Sequence, residues 1–181
     1  MKMDKKTILI VVDMQHDFVD GSLGTPEAQA ILPAVNKLIS SGGFDDVYYT
    51  FDTHYPDYPH TFEGKKLPVP HCIYGTTGWA LALEKAPDDD IHTVIKNTFG
   101  HIEWTKTLGV IEEPASSRIA SITVIGLCTD ICVISNALIL RALFPNVRII
   151  CDAACCAGTT PEAHKAALAV MKSCQIDVIN E

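Results

Sequence analysis

Carboxylate, ammonium and thiol groups follow or close three of the apolar runs in this 181-residue chain. Asp13 directly follows the first run, Lys96 closes the third, and Cys132 comes shortly after the fourth. A thiolate attacks carbonyl carbon, a carboxylate can take the thiol proton and return it, and a nearby ammonium favours the thiolate. Together the three side chains predict nucleophilic catalysis by cysteine.

The position of Cys132 supports this prediction. It follows the fourth run within the segment GLCTDIC, and Asp130 is expected to open the next helix, so Cys132 falls in the first helical turn. The N-terminus of a helix lowers the pKa of a thiol through its free N–H groups and its positive dipole end, and Lys96 is expected to lower it further. The backbone amides of Cys128 and Cys132 are candidates for holding the oxyanion of a tetrahedral intermediate.

A second group of reactive side chains lies between residues 52 and 79. This segment holds four of the ten prolines and three of the seven histidines, with little periodicity. A loop of this length inside a compact domain is usually functional or disordered. Carboxylate and imidazole together suit Zn²⁺, Mn²⁺ or Fe²⁺. The candidate ligands are Asp52, His54, His60, Glu63 and His71.

The elements that must position these groups follow from the apolar pattern. Helical patterns with capping residues at Thr25, Asp130 and Thr160 lie between runs that are rich in β-branched residues. Such alternation predicts an α/β fold, a single-domain Rossmann-like three-layer sandwich over residues 1–181 with a six-stranded parallel sheet in the order 3-2-1-4-5-6. The predicted strands, buried on both faces, are Thr7–Val12, Val47–Phe51, Thr93–Lys96, Ile119–Ile125, Val147–Cys151 and Ile176–Ile179.

The strand ends explain why the reactive groups should meet. In a doubly wound sheet, ligands bind beyond the carboxyl ends of the strands, near the point where the strand order reverses. Asp13, Asp52, Lys96 and Cys132 all follow or close a predicted strand. One aspartate after a strand is usually a cap or turn residue, and one cysteine is often a packing residue. Reactive groups at four strand ends together favour a catalytic site.

Three segments, IVVDMQHDF, IKNTFG and GLCTDICV, resemble the isochorismatase-like cysteine hydrolases, whose best-known members are nicotinamidases. The resemblance extends over nearly the whole chain, from residue 7 to about residue 167. It implies Asp13 as general base and acid, Lys96 as charge partner and Cys132 as nucleophile. It also implies a cis peptide bond just before Cys128.

The resemblance further implies one bound metal ion, with zinc favoured over manganese or iron. Asp52, His54 and His71 would be ligands. Glu63 is favoured as the fourth, because TFEGKKLPVPHC is similar to the subgroup that uses a glutamate. His60 competes with it, because the spacing D-x-H-x₅-H also occurs in the family.

The substrate pocket departs from the nicotinamidase pattern. Phe18 matches an aromatic residue that contacts the substrate ring, but the second aromatic position falls in Leu67–Pro70, where none is present. His16 replaces the usual asparagine of the QNDF pattern. We therefore expect the wall of the substrate pocket to differ from that of nicotinamidases, with aromatic candidates at Trp79, Phe99 and Trp104.

Composition and charge limit the kinds of partner and the location that we expect for this protein. The formal net charge is −8 and no basic cluster exceeds a lysine pair, which argues against nucleic acid and anionic membranes. No apolar run reaches the ~18 residues of a membrane span. The N-terminal apolar stretch is too short for a signal peptide, and seven cysteines without an export signal indicate a reducing, cytoplasmic location.

The expected activity is hydrolysis of a small amide to acid and ammonia through an acyl-enzyme, as in nicotinamidases. One alternative is cleavage of another C–N bond, such as a carbamoyl or ureido group. A catalytically silent binding protein is a further alternative. A homo-oligomer is compatible with the resemblance.

Overall fold

A six-stranded parallel sheet forms the centre of the computed structural model, which describes residues 5–84, 92–110 and 114–181. The strand order is β3-β2-β1-β4-β5-β6, so the predicted order and strand direction are confirmed. The strands are β1 Lys6–Val12, β2 Asp46–Asp52, β3 His92–Lys96, β4 Ile119–Leu127, β5 Arg148–Ala157 and β6 Asp177–Ile179.

Helices cover the sheet and connect its strands. The predicted caps at Thr25 and Thr160 are confirmed, because each hydroxyl oxygen accepts a hydrogen bond from the amide three residues later. Two short 3₁₀ turns span Tyr58–His60 and Thr77–Trp79. The α-helices are α1 His16–Val19, α2 Pro26–Ala30, α3 Leu32–Ser40, α4 Phe62–Lys66, α5 Trp104–Thr107, α6 Ala115–Arg118, α7 Ile134–Leu143 and α8 Pro161–Ser173. None of the helices in the described ranges is both long and apolar enough to cross a membrane.

Burial follows position in the sheet. Residues 9–12 of the interior strand β1 are wholly buried. The prediction of full burial is wrong for the edge strands: three of the five residues of β3 are exposed, with Ile95 at 52%. An edge strand has a neighbour on one side only, so fewer of its side chains are covered.

The start of the helix after β4 also differs from the prediction. Cys128, not Asp130, precedes the first turn, which is a wide π-type turn over Thr129–Val133 leading into α7. The Asp130 carboxylate instead accepts hydrogen bonds from the amide and the hydroxyl of Thr159, at 2.8 and 2.6 Å. Asp130 therefore ties this turn to the loop after β5, while Cys132 keeps its place in the first turn.

One glycine allows β1 and β4 to meet closely above this turn. Gly126 has φ +114°, and a Cβ atom there would collide with the carbonyl oxygen of Val12. The residues that follow these two positions are Asp13 on one strand and Leu127–Cys128 on the other. The close approach brings the catalytic candidates of β1 and β4 to the same edge.

Candidate active site

Asp13, Lys96 and Cys132 lie together beyond the carboxyl ends of β1, β3 and β4. The ammonium Nζ of Lys96 is 2.6 Å from Oδ2 of Asp13 and 3.6 Å from Sγ of Cys132. The three residues are at most 5% exposed. A buried cation thus touches both the candidate base and the candidate nucleophile.

Backbone geometry and a hydroxyl hold Asp13 in place. Asp13 has φ +47°, a left-handed conformation that non-glycine residues adopt uncommonly and that is often found at functional sites. The Thr50 hydroxyl donates to Oδ1 of Asp13 at 2.6 Å, and the Asp13 amide donates to the Thr50 carbonyl at 3.2 Å. Oδ2 of Asp13 is left to face Lys96.

The electrostatics of this centre favour a charged lysine and a protonated thiol. Burial opposes the charge of Lys96, but Asp13, Cys132 and Asp52 outweigh it and raise the lysine pKa. Burial also raises the pKa of Asp13, although Lys96 opposes this. The sequence predicts a lowered pKa for the Cys132 thiol, but burial, reinforced by the Asp13 charge, raises it against the opposing effect of Lys96. Asp13 and Lys96 thus act on the pKa of the Cys132 thiol in opposite directions.

The turn before Cys132 has the backbone form that the resemblance implies. The peptide bond between Leu127 and Cys128 is cis. Cys128 and Cys132 both line the same cavity. The use of their amides as oxyanion donors remains a prediction.

A second cluster joins the first through one carboxylate. Oδ1 of Asp52 is 3.5 Å from the Lys96 ammonium, and Oδ2 is 3.0 Å from Nε2 of His54 and 3.5 Å from Nε2 of His71. The three candidate ligand atoms lie within 4.8 Å of one another and all three residues are buried. Burial opposes ionisation of Asp52, but the close contacts with both histidine rings and the charge of Lys96 lower its pKa well below the usual range.

The cluster fits a divalent cation. Nε2 of His54 is buried and makes no hydrogen bond of acceptable geometry, although it points at Asp52. Nδ1 of His71 lies 2.8 Å from the Val69 carbonyl, which fixes the proton on Nδ1 and leaves Nε2 free to bind a metal. Burial lowers the pKa of His54, but the carboxylates of Asp52 and Glu63 raise it to about 9. Such a site favours positive charge.

The fourth candidate ligand is Glu63. Its Oε1 lies 3.6 Å from Nε2 of His54 and 3.8 Å from Nε2 of His71. His60 is exposed at the end of its 3₁₀ turn. The arrangement places Glu63 beside the cluster, as the prediction favours, while the ligand itself stays a prediction.

A cavity of about 320 Å³ connects the two clusters. Phe18 is in its wall, with its ring centroid 5.4 Å from that of His71. Of the three alternative aromatic candidates, Phe99 lines the cavity, whereas the indole of Trp79 donates to Thr53 and Trp104 is fully buried. The lining residues are Phe18, Leu23, Thr25, Ala28, Asp52, Glu63, Leu67, His71, Phe99, Leu127, Cys128, Ile131, Cys132, Gly158 and Thr159.

Two buried amides were missed by the sequence analysis. Gln15 accepts a hydrogen bond from the Asp52 amide at 2.8 Å and donates to the Asp52 carbonyl at 2.9 Å. Asn136 donates to the Cys132 carbonyl at 2.8 Å and to the Phe99 carbonyl at 3.2 Å. A glutamine just beyond Asp13, near the end of β1, and an asparagine inside an apolar helix are the signals that point to them.

The similarity to known proteins extends over nearly the whole chain. The family model described as the isochorismatase domain matches residues 7–181. The solved nicotinamidase/pyrazinamidase of Bacillus subtilis is 26% identical with a TM-score of 0.78, covering 97% of this chain and 100% of its own. The pyrazinamidase of Pyrococcus horikoshii, solved in complex with zinc, is 26% identical with a TM-score of 0.74, covering 97% and 99%.

Two further relatives widen the range of activities. The N-carbamoylsarcosine amidase of Thermoplasma acidophilum is 27% identical with a TM-score of 0.71, covering 96% of this chain and 95% of its own. A protein of Arabidopsis thaliana described as a probable inactive nicotinamidase is 26% identical, covering 93% of this chain and 89% of its own. The substrate and the activity of this chain must therefore be argued from its own residues.

Proposed function

Because this chain belongs to the isochorismatase family, we propose that it is a cysteine hydrolase that cleaves a small amide to acid and ammonia. Nicotinamide is the single substrate we favour. The observation that carries the proposal is the Lys96 ammonium lying 2.6 Å from Asp13 and 3.6 Å from the Cys132 thiol. A catalytically silent binding protein has no need for this buried arrangement of base, cation and nucleophile.

The proposed reaction starts with attack of Cys132 Sγ on the amide carbon, while the thiol proton passes to Asp13. The amides of Cys128 and Cys132 are the proposed donors to the oxyanion. Asp13 returns the proton to the leaving nitrogen, the C–N bond breaks, and ammonia departs from a thioester. Asp13 then takes a proton from water, whose oxygen attacks the thioester, and the acid leaves as the thiol is restored. Lys96 stays charged and stabilises each anionic state.

The metal part of the proposal rests on Asp52, His54 and His71, with Glu63 beside them. When bound there, a divalent ion, zinc by preference with manganese or iron as alternatives, would supply a Lewis-acid contact for a donor atom of the substrate. The residues of the chain keep that contact next to Cys132, because Oδ1 of Asp52 faces Lys96 and Oδ2 faces the histidines.

The alternative is hydrolysis of a carbamoyl or ureido C–N bond. The similarity to the N-carbamoylsarcosine amidase favours it, since that protein has the same fold at 27% identity. Both reactions use the same nucleophile and release ammonia. The metal cluster is the feature that favours the carboxamide substrate.

The test is an ammonia-release assay with purified protein over nicotinamide, other small carboxamides and carbamoyl compounds, each with and without added Zn²⁺ or Mn²⁺. We expect turnover of a carboxamide, loss of turnover in Cys132→Ala, and retained turnover in Cys174→Ala, whose cysteine lies at the far end of α8. Absence of ammonia release from every compound in the metal-loaded protein would leave the silent binding protein as the better proposal.

A cytoplasmic location and a homo-oligomeric assembly belong to the same proposal. All seven cysteines are free thiols, which suits a reducing compartment. Light scattering of the purified protein measures the assembly.

A further inference from the structure

Residues from both sides of the nucleophile in the strand order line the cavity. In the sheet, β1 and β4 lie between β2, which carries Asp52, and β5, whose end leads to Gly158 and Thr159. Cys132 follows β4, so the strand order puts it between the metal cluster and the residues that follow β5. We call the end beyond Cys132 the β5-side chamber; its lining residues are Thr25, Ala28, Ile131, Gly158 and Thr159.

Hydrogen bonds within the protein already engage Thr159 and one acceptor position of Thr25 in this chamber. Thr159 donates its hydroxyl and its amide to the Asp130 carboxylate, at 2.6 and 2.8 Å. The Thr25 oxygen accepts from the Ala28 amide at 3.0 Å. What the chamber offers a ligand is mainly the hydrocarbon surface of Ala28 and Ile131.

Charge in the chamber opposes an anionic ligand. The Asp130 carboxylate lies directly behind the Gly158–Thr159 backbone. No lysine or arginine is among the described residues that line the cavity. A carboxylate placed there would lose its hydration without gaining a cation, which costs several kcal/mol on general grounds.

We infer that the β5-side chamber binds an uncharged, apolar part of the substrate. The inference rests on the proposed function and narrows it: the substrate is a neutral carboxamide of the nicotinamide class whose acyl part carries a short hydrocarbon substituent, so that ammonia remains the leaving group. Carbamoyl derivatives of amino acids, which carry a carboxylate, are excluded from this end of the cavity. The volume of about 320 Å³ is at the small end of the range for ligand pockets, so the extension is short.

The experiment measures binding to zinc-loaded Cys132→Ala protein, which cannot turn the ligands over. The probes are nicotinamide, its ring-propyl derivatives and its ring-carboxyl derivatives, titrated by calorimetry. We expect one propyl derivative to bind about 10-fold more tightly than nicotinamide. We expect the carboxyl derivative at the ring position where propyl improves affinity to bind about 100-fold more weakly than nicotinamide. A carboxyl group at that position that leaves the affinity equal to that of nicotinamide would overturn the inference without any further variant.

Substitutions of Ile131 test whether the changes in affinity arise in the β5-side chamber. Ile131→Phe should reduce the volume of the chamber and remove the propyl gain, and Ile131→Lys should improve binding of a carboxyl derivative about 10-fold by supplying a cation. The matched controls are Ile102→Phe and Ile102→Lys, because Ile102 is 76% exposed and outside the cavity wall. Equal propyl gains in Ile131→Phe and in the Ile102 controls would refute the location.

The proposed function and the β5-side chamber are tested by different measurements. Turnover of nicotinamide or another carboxamide by the unsubstituted protein tests hydrolysis, whereas the binding series tests the chamber. Binding that follows the predicted order without turnover supports the chamber and contradicts the hydrolase. Turnover of a carboxamide together with tight binding of that carboxyl derivative supports the hydrolase and contradicts the chamber.

Discussion

The two halves of the site are held in different ways. In the cysteine centre, Asp13 directly follows β1, Lys96 is the last residue of β3, and Cys132 lies one turn after β4. In the metal cluster only Asp52 belongs to a strand, while His54 and His71 lie in the long segment that follows β2. Sheet backbone positions the first group, so the second group needs other supports.

Those supports are side chains that follow β1. The Gln15 amide donates to the carbonyls of Asp52 and Trp79, at 2.9 and 2.8 Å, and so holds both ends of the long segment. The Asp17 carboxylate accepts from the Cys72 amide at 2.7 Å, next to His71. The nucleophile is therefore positioned by a strand end and the turn that directly follows it, whereas the ligands depend on hydrogen bonds from side chains of a distant segment.

The largest expected effect is loss of the nucleophile. Cys132→Ala should lower kcat about 10⁴-fold or more, because no thioester can form. Metal content and melting temperature should stay close to those of the unsubstituted protein, since the side chain removed is small. Cys128→Ala is the matched control and should keep substantial activity, because the backbone amide remains. The assignment fails if Cys132→Ala keeps its turnover or if iodoacetamide inactivates by labelling another cysteine.

The next effect concerns the cation that joins the two halves. Lys96→Met removes the charge that opposes the raised pKa of Cys132, so this pKa should rise further. A higher thiol pKa means less thiolate at a given pH, and alkylation of Cys132 should slow about 100-fold near neutral pH while recovering at alkaline pH. Iodoacetamide labelling followed by mass spectrometry across a pH series measures this. A pH profile that does not move would show that Lys96 has no influence on the thiol.

The difference between the halves also explains what the sequence could predict. Apolar runs and strand ends predict the sheet order and the meeting of Asp13, Lys96 and Cys132, because parallel strands share one ligand-binding edge. They do not predict that β5 continues to Ala157, since its second half, DAACCA, lacks the β-branched pattern of its first. Local signals point to Gln15 and Asn136 as unusual polar residues, but their partners Asp52, Trp79 and Phe99 are distant in the chain, so these contacts could not be predicted.

Gln15 supports the metal cluster without being a candidate ligand. Gln15→Met should lower zinc affinity about 10- to 100-fold, because Asp52 loses two backbone hydrogen bonds next to the metal. The alkylation rate of Cys132 should stay within about twofold, since its support comes from β4 and Asn136. Zinc competition with a chromophoric chelator gives the first value and iodoacetamide labelling the second.

The control for Gln15→Met is Asp20→Asn, which alters an exposed ion pair with His16 close by in the chain. It should leave both measurements unchanged. Equal losses of zinc affinity and thiol reactivity in Gln15→Met would mean that the two halves are one structural unit, and the comparison would then be wrong.

The smallest effect separates two candidate ligands within the loop. Glu63→Gln should lower zinc affinity about 10-fold, because its Oε1 lies within 4 Å of both histidine Nε2 atoms and carries negative charge to the cluster. His60→Gln should have no effect, because that side chain is exposed on the neighbouring turn. Both residues lie within the same short stretch, so general damage to the loop would weaken zinc binding in both variants. A larger loss of zinc affinity in His60→Gln than in Glu63→Gln would make His60 the better candidate for the fourth metal ligand.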